Sequence, residues 1–142
     1  MTTSGTDATA VIDGFTITGG NADGSGDQDA GAGVLNIAGS PLLRNCIIRD
    51  NQLTAYGVEE QQSGNGIHCW KSDSMQVIAN TISGHRDGIY FEFVTHSVIW
   101  RNISENNLRY GLHFMFSNND AYYSNVFANN GAGVAVMFSK YV

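Results

Sequence analysis

The 142-residue chain has one proline and two cysteines, and only 14% of its residues are charged. Two thiols cannot build a disulfide framework. Cys46 and Cys69 fall at different places in the repeat set out below, so both are expected as buried free thiols, with a metal role for Cys69 as the lesser reading. Scarce charge is unusual for a helical protein. The net charge of −6 argues against a nucleic-acid backbone as partner. No apolar run reaches the length of a membrane span. The first residues, Met1-Thr2-Thr3-Ser4, lack the basic start and hydrophobic stretch of a signal peptide. That start fits a cytosolic chain or the mature part of an exported one.

What the chain has in quantity is glycine, 17 residues of it, and a repeat. Gly66-Ile67-His68-Cys69-Trp70 returns as Gly88-Ile89-Tyr90-Phe91-Glu92, as Gly111-Leu112-His113-Phe114-Met115 and as Gly133-Val134-Ala135-Val136-Met137. The glycines are spaced by 22, 23 and 22 residues, and Asn80, Asn102 and Asn125 each follow their glycine by 14. A unit this short cannot close a core alone, but stacked copies bury a continuous one. Apolar residues stand one and three places after each glycine, which is strand alternation, and no stripe at helical spacing is present. The pattern predicts an all-β fold: a right-handed, single-stranded parallel β-helix of about five to six coils, about 4.8 Å per coil. Stacked asparagines at a bend of such a coil bond to each other and to backbone amides, and Asn45, Asn80, Asn102 and Asn125 are read as that stack.

Residues 1–10 are small and polar and read as a flexible leader, with one β-helix domain over 11–142. Gly33 to Gly66 spans 33 residues, against 22 or 23 elsewhere, so 53–65 reads as a polar excursion loop. The repeat is still in register at Phe138, and an uncapped last coil would expose strand edges. End-to-end association with a second copy is therefore expected of the C-terminal coil.

Three sets of residues could carry chemistry. His113 lies two places before Met115, on the same side of a regular strand, and Met115 and Met137 occupy equivalent places in adjacent coils. Imidazole and thioether ligands suit Cu(I), so His113, Met115 and Met137 form a candidate copper site. The alternative is that these methionines simply fill space. His68 and His113 share what is read as an outward ladder. The loop with Asn21, Asp23, Ser25 and Asp27 has oxygen side chains at every second place around a glycine and is a calcium candidate. Against it, Ala32 stands where a calcium loop of this kind needs a bidentate glutamate. Arg86, Asp87, Glu92 and Arg109 form an alternative sugar-binding face, or a set for acid–base work. No nucleophile elbow or phosphate loop is present, so the chain is read as a binder more readily than an enzyme.

Residues 11–52, with Ile12-Asp13-Gly14-Phe15-Thr16-Ile17-Thr18-Gly19-Gly20, resemble the glycine-rich repeats of secreted bacterial right-handed β-helix proteins. Residues 66–139 resemble the NosD family. The resemblance rests on Ile82-Ser83-Gly84-His85-Arg86-Asp87-Gly88-Ile89-Tyr90-Phe91-Glu92-Phe93, on Leu108-Arg109-Tyr110-Gly111-Leu112-His113-Phe114-Met115-Phe116-Ser117 and on Asn130-Gly131-Ala132-Gly133-Val134-Ala135-Val136-Met137. NosD proteins are periplasmic β-helix proteins that work with an ABC transporter in maturing the copper sites of nitrous oxide reductase. The resemblance implies a periplasmic or secreted, non-catalytic accessory protein with copper as its ion and those two proteins as its partners. The competing expectations are a carbohydrate-binding or polysaccharide-cleaving β-helix, and a structural or engineered solenoid scaffold that binds nothing.

Overall fold

The structure, a computed structural model, describes residues 1–20, 31–49 and 64–142. Every regular element in it is a strand, and every pairing between strands is parallel. Among the described residues no helix is long and apolar enough to cross a membrane.

Three sheets run along the stack. The first holds β1 (Thr2–Ser4), β4 (Gly31–Ile37), β7 (Asn65–Trp70), β10 (Asp87–Glu92), β13 (Tyr110–Met115) and β16 (Ala132–Met137). The second holds β2 (Val11–Asp13), β5 (Leu42–Arg44), β8 (Gln76–Ile78), β11 (Val98–Trp100) and β14 (Ala121–Tyr123). The third holds β3 (Thr16–Thr18), β6 (Ile47–Arg49), β9 (Thr81–Ser83), β12 (Ile103–Glu105) and β15 (Val126–Ala128). Successive coils contribute one strand to each sheet in turn, the last adding only β16, so the chain is a parallel β-helix. The glycine register is the pairing register: Ile89 lies between Ile67 and Leu112, and Leu112 pairs with Val134. Thr2–Ser4, inside the stretch read as a leader, pair with Leu35, Asn36 and Ile37 of β4.

The residues one and three after Gly66, Gly88 and Gly111 face inward as their alternation predicts, while in the last coil Val136 is exposed. Ile67, Cys69, Ile89, Phe91, Leu112 and Phe114 have no exposed surface. Phe91 and Phe114 meet edge to face, with ring centroids 5.9 Å apart. Gly88 admits the next coil: a Cβ there would strike Ser104 Oγ and come within 2.8 Å of the Gly111 carbonyl.

The bends are made by left-handed residues that recur coil after coil. Lys71, Phe93, Phe116 and Phe138 all have φ near +50°. Such a φ is costly for a side-chain-bearing residue. Here it turns the amide along the stack: Phe93 N–H donates to the Met115 carbonyl at 3.0 Å and Phe116 N–H to Met137 at 3.0 Å. The Phe93, Phe116 and Phe138 rings also stack, at 5.1 and 5.0 Å.

The asparagine stack is present, with one correction. Asn80 and Asn102 are buried, and each donates its Nδ2 to the Oδ1 of the asparagine in the next coil at 3.0 Å. That Oδ1 also accepts the preceding asparagine's backbone N–H at 2.9 Å. Asn45 is not in the stack. Cys46 takes its place: its N–H donates to Asn80 Oδ1 at 3.0 Å, and its thiol is buried. Asn45 occupies the left-handed position before it and donates to Asp13 Oδ1 at 2.8 Å. A second stack escaped the sequence reading. Asn107 Oδ1 accepts from His85 N–H at 3.1 Å, and Asn130 Oδ1 from Asn107 N–H at 3.0 Å.

Candidate functional site

The outer face of the first sheet carries two columns of side chains beside each other. Register places His68, Tyr90, His113 and Ala135 in one column, and Trp70, Glu92, Met115 and Met137 in the next. The first column is not open to solvent as an outward ladder would be. His68 is 5% exposed and His113 3%. The rings cover each other: His68 and Tyr90 lie 4.6 Å apart, Tyr90 and His113 4.7 Å, and Tyr110 closes on His113 edgewise at 5.0 Å. With Tyr90 between them, the two imidazoles cannot share one ion.

Asp87 heads the same face and has no exposed surface. Arg109 grips it with two bonds, Nε to Oδ1 at 3.0 Å and Nη2 to Oδ2 at 2.8 Å. Arg86 Nη2 lies 3.8 Å from Oδ2, and His113 Nδ1 donates to Oδ2 at 3.2 Å. Burial pushes the Asp87 carboxyl up, but the His113 and Arg109 bonds and the two guanidinium charges bring it below the usual carboxylate range. On the neighbouring column, Glu92 lies 3.5 Å from His68 Nε2. Its bond to His68, against the opposing effect of burial, keeps its carboxyl below the usual value. Burial, then the Glu92 charge, pushes the Tyr90 phenol up to about 12.

His113 is the member with chemistry left over. Its Nδ1 edge is spent on Asp87, and Nε2, on the opposite edge, is buried without a hydrogen-bond partner. A buried acceptor in that state costs on the order of 1–3 kcal/mol. Met115, two residues on along β13, and its register partner Met137 are both half-buried. Their backbones stand about 4.8 Å apart. The donors available are one imidazole nitrogen and two thioethers, a soft set that fits Cu(I). Among the described residues no group of three or more His, Cys, Asp or Glu is placed to hold a metal ion. Cys69 is not a ligand candidate, because it points into the core on the other face of β7 and burial pushes its thiol up.

The four residues of the sugar face, Arg86, Asp87, Glu92 and Arg109, are brought to one side of the stack. Two of them spend their charge within the protein: Asp87 is wholly buried on Arg109 and His113, and Glu92 is turned to His68. The calcium candidates Asn21, Asp23, Ser25 and Asp27 lie outside the described residues, as do positions 53–63 of the excursion loop; Asn65 begins β7. His96 is exposed and bonds Asp73 at 2.8 Å. The partnership of Asp87 with His113, 26 residues apart, was missed in sequence. The repeat contained its signal, because Asp87 pairs with Tyr110, three places before His113 in the adjacent coil.

A family model described as "Periplasmic copper-binding protein (NosD)" matches residues 27–142. No curated protein and no solved structure matches the chain.

Proposed function

The chain belongs to the NosD family of periplasmic copper-binding proteins, and on that premise we propose that it holds Cu(I) as cargo at His113, Met115 and Met137. The observation that supports this most is the buried His113 Nε2 without a partner, two residues before Met115 in the same strand, with Met137 as the register partner of Met115. Three neutral donors leave the ion its positive charge, which suits a site that receives an ion and hands it on. No bond is made or broken in the cargo and no electron moves. The protein is a carrier and not a catalyst in this reading. Its finer role is that of an accessory in the copper-site maturation of nitrous oxide reductase, working with an ABC transporter. The periplasmic, copper-binding character of the family supports that role.

Anaerobic titration against a Cu(I) chelator of known affinity tests the site. The wild type is expected to take up one equivalent. Met115→Ala/Met137→Ala is expected to lose at least tenfold in affinity, about 1.4 kcal/mol. Negligible uptake by both proteins would remove copper from the account.

A further inference from the structure

The copper reading uses His113 Nε2 and leaves open why that nitrogen is bare. The explanation lies behind the ring. A carboxylate can only accept hydrogen bonds, so the 3.2 Å contact from His113 Nδ1 to Asp87 Oδ2 puts the proton on Nδ1. With that one ring proton placed on Nδ1, the lone pair is left on Nε2.

Asp87 is in turn unable to rotate. Arg109 holds both carboxylate oxygens, at 3.0 and 2.8 Å, in a forked geometry that fixes the carboxylate plane. The His113 ring is held on two sides, by the Tyr90 face at 4.7 Å and 26° and by the Tyr110 edge at 5.0 Å and 65°. Asp87 is wholly buried and His113 is 3% exposed, so water does not compete for either bond.

We propose that Asp87, clamped by Arg109, is the positioning residue of the copper site. It locks His113 as the Nδ1–H tautomer and aims the Nε2 lone pair at the ion. This rests on the copper reading for the identity of the ion, but the lock exists in the metal-free protein and is measurable there. A carboxylate behind a ligating histidine sets both ring orientation and basicity, and its loss typically costs 10–100-fold in metal affinity. Asp87→Asn keeps the shape but adds an amide N–H. If the amide oxygen stays on Arg109, that N–H turns toward Nδ1 and drives the proton to Nε2, where it blocks the ligand.

The test is a long-range proton–nitrogen correlation spectrum of the 15N-labelled, metal-free protein at neutral pH, with Cu(I) affinity measured by chelator competition. The wild type is expected to show His113 protonated at Nδ1 and bare at Nε2. Asp87→Asn is expected to shift the proton to Nε2 and weaken Cu(I) binding by about 10–100-fold, with Met115 and Met137 untouched. A wild-type proton on Nε2 overturns the proposal. So does a folded Asp87→Asn that binds Cu(I) as tightly as the wild type. Should Asp87→Asn not fold, Arg109→Gln decides instead. Releasing the clamp is expected to give a mixture of tautomers and weaker binding, and a pure Nδ1–H tautomer with unchanged affinity overturns the clamp. If the wild type binds no Cu(I) at all, the copper reading fails by itself, and the metal-free spectrum still decides the tautomer lock.

Discussion

Asp120 stands where the neighbouring coils use neutral side chains. Its Oδ1 accepts Ser97 N–H at 2.8 Å, as Ser97 Oγ accepts Met75 N–H at 2.9 Å one coil away. Its Oδ2 is buried with no partner, and the residue is 4% exposed. Burial, only partly offset by the Ser97 bond and the His96 charge, pushes the carboxyl up to about 6, and the Asp73 charge adds to the rise. The folded state therefore favours protonated Asp120. The stability this brings is fully present below the ordinary value of 3.8 and is lost as pH rises through about 6. Two units at about 1.36 kcal/mol each bound the loss at roughly 3 kcal/mol, and relaxation of the site brings the expected figure to about 1–3 kcal/mol. Asp120→Asn keeps the acceptor for Ser97 and removes the charge. Urea denaturation of both proteins at pH 4, 5, 6 and 7.5 should give near-equal stability at pH 4 and a variant more stable by about 1–3 kcal/mol at pH 7.5. Taking the difference cancels Asp87 and Glu92, whose lowered values act in the opposite sense. A difference that does not change with pH, or a variant less stable at pH 7.5, would refute the reasoning.

Two further outcomes follow from the stack. Gly88→Ala forces a methyl against Ser104 Oγ and to 2.8 Å from Asn107 Nδ2 and the Gly111 carbonyl; overpacking of this kind should lower stability by about 1–3 kcal/mol, read from the urea midpoint. Asn102→Ala removes the Oδ1 acceptor of Asn80 N–H and the donor to the Val77 carbonyl at 2.8 Å, leaving buried partners unpaired at about 2–4 kcal/mol, while Asn45→Ala, outside the stack, should change stability by less than about 1 kcal/mol.

The coil and its inward face were legible because one glycine and two alternating apolar residues repeat at nearly constant spacing, and the register follows them. Asn45 was misplaced by one position. An asparagine serves both a left-handed bend and a buried stack, and Cys46 in the stack slot hid which role applied. The burial of His68 and His113 was not legible from alternation. Alternation separates the two faces of a strand, but it does not show that rings in successive coils cover one another on the outer face. The Asp87–His113 bond needed the same step across coils, from linear spacing to neighbouring columns.

The central claim is that one imidazole and two thioethers on adjacent coils hold Cu(I). X-ray absorption at the copper edge, on protein loaded anaerobically with one equivalent, tests it most directly. The account predicts one nitrogen and two sulfur scatterers, with both sulfurs lost in Met115→Ala/Met137→Ala and the nitrogen lost in His113→Ala. A copper shell of nitrogen and oxygen alone, unchanged in those variants, would contradict it.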